Sequence, residues 1–164
     1  MIRIREAAID DLPALLEIYN YAICNLTATF DLQEQTLEDR KKWFEHHGAE
    51  YPLIVAEEDE NVIGYSSLSP FNEKLAYSAT SEVSIYIAPN QQGKGVGSLL
   101  MQQILKQARQ LNYHTVISGI TGGNGASIHL HEKFGFVLAG TLREVGNKFD
   151  EWQDVHYYQL ILRD

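Results

Sequence analysis

Cysteine is almost missing from this chain: Cys24 is the only one in 164 residues. A disulfide framework and a cluster of thiolate metal ligands are both excluded by that count. Cations are scarce as well, with 13 Lys and Arg against 22 Asp and Glu and a net charge of −9. Sequence-independent binding of nucleic acid needs clustered cations against phosphate, and no basic stripe is present, so no nucleic-acid partner is expected. No apolar run approaches the ~20 residues that cross a bilayer, so no membrane partner is expected either. A secretory leader would need an unbroken apolar core near the start, where Arg3, Arg5 and Glu6 stand instead. The expected location is the cytoplasm. Proline is sparse too, with 4 residues, and no Pro/Gly/Ser linker, repeat or low-complexity tract divides the sequence. The chain reads as a single domain over residues 1–164, long enough to bury a core.

Periodicity then places the elements. Ile2 and Ile4 alternate with Arg3 and Arg5 as in a half-buried strand. Asp10 and Asp11 offer a cap for a helix with Leu12, Leu15, Leu16, Tyr19, Ala22 and Ile23 at helical spacing. Cys24 continues that helix and reads as small core filler. Thr36 and Asp39 form a capping-box pattern ahead of Leu37, Trp43 and Phe44. Residues 51–56 and 62–68 read as a hairpin across an acidic turn at 58–61. Residues 82–87 form the clearest strand, with Val83, Ile85 and Ile87 on one face and Glu82, Ser84 and Tyr86 on the other. From Gly95 the chain turns helical, with Val96, Leu100, Ile104, Ala108 and Leu111 on one stripe. Residues 115–118 read as a short buried strand and 126–133 as a compact helix closed by Gly135. Residues 136–142 and 156–162 read as two strands joined by a long polar loop. The order predicts an α/β or α+β layer fold.

The turn Gln92-Gly93-Lys94-Gly95-Val96-Gly97 stands between the clearest strand and a helix. Glycines let the backbone approach an anion, the helix start offers free N–H groups, and Lys94 adds a cation. On that evidence alone the turn is equally a simple chain reversal. A Walker motif would need Ser or Thr after Lys94, where Gly95 stands, and a dinucleotide fingerprint would need glycine at Ser98. Both patterns fail.

The turn resembles motif A of the GCN5-related N-acetyltransferases, Gln/Arg-x-x-Gly-x-Gly/Ala. Val83 to Pro89 is similar to that family's fourth strand. Asn124 followed by Leu130-His131-Glu132-Lys133-Phe134-Gly135-Phe136 is similar to its later segment. Within the family, Thr29-Phe30, Tyr51-Pro52, Pro70-Phe71, Ala76-Tyr77 and Glu82 resemble the phosphinothricin acetyltransferase group. So does the tail Arg143…Gly146…Lys148…Trp152-x-Asp154-Val155. The resemblance implies a mixed, mostly antiparallel central sheet flanked by helices, and a homodimer. It implies direct acetyl transfer from acetyl-CoA to the α-amine of a small amino-acid analogue, such as phosphinothricin, methionine sulfoximine or methionine sulfone. Two rival readings use the same scaffold: acetylation of a polyamine or protein N-terminus, and a non-catalytic acyl-CoA sensor.

The resemblance also implies roles. Gly93, Lys94, Gly95, Val96, Gly97 and Ser98 would cradle the pyrophosphate. The main chain of Ile85, Tyr86 and Ile87 would bind the pantetheine arm, with Asn124 and Lys133 also on the cofactor. Phe30, Asn72, Glu73, Lys74, Tyr77, Glu82, Val83 and Ser84 would form the acceptor site. Asn72 stands where the group has Arg after Pro-Phe, with Lys74 as a replacement cation. Acetyl transfer needs a base for the amine proton, donors for the carbonyl oxygen and a proton for the thiolate. Glu82 is the candidate base, although spacing alone also fits an exposed carboxylate at a strand end. His131 is the candidate acid, and equally a helix histidine turned toward the core. His129 and His131, two apart, point in different directions on a helix, so no metal is expected.

Overall fold

The computed structural model describes residues 1–163. Seven strands form one sheet: β1 (Ile2–Glu6), β2 (Leu53–Glu58), β3 (Asn61–Pro70), β4 (Thr80–Ile87), β5 (Thr115–Thr121), β6 (Val137–Lys148) and β7 (Glu151–Ile161). Their spatial order is β1-β2-β3-β4-β5-β7-β6. Every neighbouring pair is antiparallel except β4 with β5. Four helices cover the sheet: α1 (Leu12–Asn25), α2 (Leu37–Glu45), α3 (Val96–Gln110) and α4 (Gly125–Lys133). This is the mixed, mostly antiparallel architecture that the resemblance implies.

The side-chain period of two assigns each strand residue to a core. Along β2, Ile54 and Ala56 join the cluster under α3, whereas Leu53 and Val55 join the one under α1 and α2. β2 is therefore apolar from Leu53 to Ala56, where both of its faces are covered. On α3 the buried positions Val96, Leu100, Met101, Ile104, Leu105 and Ala108 form one stripe. Leu111 lies beyond it as the partly exposed C-cap. On β4, Val83, Ile85 and Ile87 face α3, while Tyr86 packs against the α1 side.

Local chemistry sets the boundaries. Thr36 Oγ1 accepts the Asp39 N–H at 3.1 Å and Asp39 accepts the Thr36 N–H at 2.9 Å, the expected capping box. The acidic turn between β2 and β3 has Asp59 and Glu60 at φ of 51° and 65°, the two left-handed residues of a type I′ hairpin. The C-terminal part differs from the sequence expectation. Instead of a long polar loop, β6 and β7 run as one hairpin closed by Phe149 and Asp150, at φ of 56° and 59°. Register shifts near Leu138 and Leu142 break the alternation, and β6 is exposed along nearly its whole length. Cys24 also departs from its reading as core filler: it is exposed, with Sγ 3.0 Å from Glu34 Oε1.

Asp11 does more than begin a helix. Arg5 donates to both of its carboxylate oxygens at 2.8 Å, and the Ala8 N–H donates at 2.7 Å. The Arg5 bond holds its carboxyl below the ordinary value of 3.8. A carboxyl with a depressed folded-state pKa adds stability above its unfolded value, and loses it as pH falls through the folded one. Asp11→Asn should therefore cost about 2 kcal/mol at neutral pH in urea unfolding. The difference from the parent should shrink as the pH is lowered below 3.8.

Candidate active site

β4 and β5 part company. Their parallel pairing covers only Thr80–Glu82 with Thr115–Ile117, although β5 goes on pairing with β7 as far as Thr121. On its other side β4 stays paired with β3 along its length. The Ala88 N–H donates to the Ile63 carbonyl at 2.8 Å, which sets the alternation of that ladder. In the same register Glu82, Ser84 and Tyr86 exchange their main-chain bonds with Ser69, Ser67 and Tyr65. The peptide groups of Val83, Ile85 and Ile87 consequently point away from β3; the Val83 N–H makes the last bond to β5, and past it the Val83 carbonyl and the peptide groups of Ile85 and Ile87 face the gap. They form a strand edge inside the molecule with no strand beside it.

That gap opens into a cleft of about 790 Å³. β4 supplies residues 82–87 to the lining, β5 supplies 118–121, and the segment after α1 supplies 26–29. Asn124, Leu130 and His131 complete it from α4 and its N-cap. Glu82 is the single carboxylate of this lining, and no Lys or Arg shares it. Burial raises the Glu82 pKa above its ordinary 4.5. Asn124 caps α4 through Oδ1, 3.3 Å from the Ser127 N–H.

His131 is 3% exposed. Its Nδ1 lies 2.7 Å from the Ser127 carbonyl, which can only accept, so Nδ1 carries the proton and a neutral ring has Nε2 bare. Its ring meets Phe136 edge-on, with centroids 5.0 Å apart. Burial pushes its pKa below 6.5, and the Ser127 carbonyl opposes that only in part.

At the far end of β4, Gly93 and Gly95 take φ of 80° and 79°, values that L side chains resist. Gly95 is the N-cap of α3 and makes no side-chain cap bond, so the first turn of α3 presents its N–H groups without that partner. Gly97 serves packing: a Cβ there would stand 3.0 Å from Leu130 Cδ2 and 3.3 Å from Ile87 Cδ1. Lys94 is paired with Glu58 at 2.9 Å and Gln91 at 2.8 Å, and Lys133 donates to Ser98 Oγ at 3.0 Å.

The structure thus brings Glu82, Val83, Ser84, Ile85, Tyr86, Ile87, Asn124 and His131 to one cleft. Phe30, Asn72, Glu73, Lys74 and Tyr77 lie outside its lining. Phe30 rests over Gly146, Tyr77 packs on Phe71 with centroids 5.7 Å apart, and Asn72 Oδ1 accepts the Lys74 N–H at 2.9 Å. The Tyr86 peptide is spent on β3, and its ring stacks on Tyr65 with centroids 5.4 Å apart. Behind that pair, the Arg40 guanidinium lies 4.0 Å from the Tyr19 ring and 3.9 Å from Trp43, and donates to Tyr65 Oη at 2.8 Å. Sequence reasoning missed the wall at Thr27–Thr29, a short run of small residues with no periodicity. It also missed Gly119, Ile120 and Thr121, which continue β5 past its expected end at Ser118 and line the cleft.

A family model described as Acetyltransferase (GNAT) family matches residues 15–136. An L-methionine sulfoximine/L-methionine sulfone acetyltransferase of Pseudomonas aeruginosa is 37% identical over 161 residues, 97% of this chain and 94% of that protein. An N-acetyltransferase from Staphylococcus aureus Mu50 superposes with a TM-score of 0.95 at 42% identity, covering 99% of each chain. A phosphinothricin acetyltransferase from Sinorhizobium meliloti, solved with acetyl-CoA, has a TM-score of 0.95 at 32% identity, covering 98% of this chain and 88% of that one.

The His131 geometry has a direct consequence for titration. As pH falls below 6.5 the unfolded chain takes up a proton that the folded imidazole resists, so folding stability is lost toward the lower folded-state value. NMR titration should show the Nδ1–H tautomer and a pKa below 6.5. A charged imidazolium at neutral pH would contradict the effect of burial, since the Ser127 bond itself is compatible with either form.

Proposed function

This chain belongs to the acetyltransferase (GNAT) family, and we propose that it acetylates the α-amine of a small amino-acid-like acceptor by direct transfer from acetyl-CoA. The acceptors it fits are of the phosphinothricin, methionine sulfoximine or methionine sulfone type, which similar proteins are named for. The observation that carries the reading is the edge left unpaired from the Val83 carbonyl through Ile85 to Ile87. It runs from the glycine turn at one end to Glu82 at the other.

Each part of that cleft suits one requirement. Bound acetyl-CoA supplies the thioester whose carbon–sulfur bond breaks as the amine–carbon bond forms. The peptide groups of Ile85 and Ile87, held by the sheet, can pair with an extended arm and donate to a carbonyl without reorganising. The turn at Gly93 to Ser98, with the start of α3, is the anion cradle; Lys94 and Lys133 border it. Asn124 faces the same arm from the N-cap of α4. Glu82, raised above ordinary carboxylates by burial, takes the proton of the amine through water. His131 is the acid for the departing thiolate, but its bare Nε2 must first gain a proton, so it accepts before it donates. Phe30, Asn72, Glu73, Lys74 and Tyr77 are left as an outer rim for the acceptor's acid group. The cytoplasm suits a chain with one cysteine, and among the described residues no helix is long and apolar enough to cross a membrane.

One observation favours a second reading. The cleft holds a carboxylate and no cation, so a polyamine would find a partner in Glu82 without needing one for a carboxylate of its own. Thiol release from acetyl-CoA, measured across methionine sulfone, phosphinothricin, spermidine and short peptides, separates the two. The amino-acid analogues should be turned over fastest, and equal or faster turnover of spermidine would overturn the proposal. Glu82→Gln should lower kcat by about 100-fold and remove an acid limb of kcat/KM lying above 4.5. Unchanged turnover would remove Glu82 as the base.

The assembly we propose is a homodimer. β6 is an edge strand, and Val137, Leu138, Leu142 and Val145 are exposed along it, with Phe149 and Trp152 beyond. Light scattering should give twice the mass of the chain, and charged replacements of Val145 and Trp152 should reduce it to one.

A further inference from the structure

The C-terminal hairpin supplies none of the residues that line the cleft, yet it grips one of the cleft's walls. That wall, residues 26–29, follows α1 without regular secondary structure. Its four carbonyls are held by three side chains, one each from β4, β5 and β6. Thr121 Oγ1 on β5 donates to the Thr27 carbonyl at 2.6 Å, and Tyr86 Oη on β4 reaches the Ala28 carbonyl at 3.4 Å. Lys148 Nζ, on β6, donates to the carbonyls of Leu26 and Thr29, at 2.8 Å for Thr29, and to that of Ala22 at 3.3 Å.

Lys148 is 2% exposed, and its three ammonium protons are spent on those three carbonyls with no carboxylate among them. Burying a charge this way is costly unless each proton is satisfied. Capping the C-terminus of α1 explains the bonds to Ala22 and Leu26. It does not explain the third, because Thr29 lies beyond the helix and on the cleft wall. Two residues before Lys148, glycine is required for the same wall: a Cβ on Gly146 would stand 2.8 Å from Phe30 Cδ2 and 2.9 Å from its Cζ. Phe30 directly continues the wall, so the hairpin holds the segment from both its carbonyl side and its aromatic end.

We propose that Lys148 and Gly146 are positioning residues that set how far residues 26–29 stand into the cleft, and so determine which acceptors fit. The proposal rests on the reading of this cleft as the amine site. It assigns acceptor selection partly to residues that never touch the acceptor. Among the described residues no hydrogen bond links the glycine turn or the start of α3 to residues 26–30, so the anion cradle for acetyl-CoA is held independently of this grip.

The test uses the full-length protein with Lys148→Met, which keeps the stem and removes the charge, and Gly146→Ala, which keeps Lys148 and displaces Phe30. Hydrogen exchange at the amides of 26–30 should accelerate in both variants while β4 and β5 stay protected. KM for the best acceptor should rise about tenfold or more, with KM for acetyl-CoA unchanged within about twofold. Acceptor and acetyl-CoA KM rising together, or an acceptor KM that stays level, would overturn the proposal. If Lys148→Met does not fold, Gly146→Ala decides by the same criteria. If the parent acetylates no amine at all, the functional reading fails instead. The exchange measurement then still judges the grip, which unchanged protection at 26–30 would refute.

Discussion

The separation of β4 from β5 after three paired residues is the constraint on which this site depends. Inside the sheet, between its edge strands β1 and β6, a peptide group ordinarily finds its partner on the next strand, and burying one without a partner is unfavourable. Here Val83, Ile85 and Ile87 keep their side chains in the core beneath α3 while, past the Val83 N–H, their peptide groups face a cleft. Both properties come from the period of two. Apolar side chains anchor the strand, and because that strand is also paired to β3, the exposed donors and acceptors cannot swing away. A rigid, unfilled strand edge results. An extended ligand can complete it with main-chain bonds, as an added strand would.

The wall across the cleft solves the opposite problem. Residues 26–29 have no strand or helix to satisfy them, so side chains take that part: Thr121, Tyr86 and Lys148 hold four successive carbonyls. The Tyr86 ring is in turn set by Tyr65 and Tyr19, and those by the buried Arg40 guanidinium. A loop fixed in this way keeps its shape only while its partners do. This wall of the cleft is consequently tied to the C-terminal hairpin and the α1–α2 layer. The far end of β4 depends instead on the glycine turn and α3.

How much of this was legible in the sequence follows from where the information lies. Strand β4 and helix α3 were readable because each has one apolar face with a regular period. The capping box at Thr36 and Asp39 was readable because its chemistry is local, whereas Glu82 was singled out by the family resemblance, its spacing alone fitting an exposed carboxylate as well. The β6–β7 hairpin was not, since its turn is Phe149-Asp150, without the glycine that usually marks two left-handed residues, and its register shifts hide the alternation. Cys24 was misplaced because helical spacing alone does not show which flank of a helix end the core reaches. The wall at 26–29 was invisible because its order comes from residues some 58 to 122 positions away. Lys148 illustrates the limit: a lysine in a polar stretch gives no sign that it is buried.

Burial then decides the electrostatics of the cleft. Desolvation acts on Glu82 and His131 in opposite directions, raising the acid and lowering the base, so that each is pushed toward its neutral form. With no Lys or Arg in the lining, nothing offsets the Glu82 shift, and the Ser127 carbonyl opposes that of His131 only in part. A cleft arranged this way holds little fixed charge of its own; burial makes the Glu82 carboxylate a stronger base and the His131 imidazole a weaker one. A group whose proton affinity has been moved toward that of an amine exchanges protons with it at smaller cost. Glu82 therefore gains basicity from the packing that buries it, while the same packing keeps His131 neutral. A change that wets the cleft would return both toward ordinary values without touching either residue.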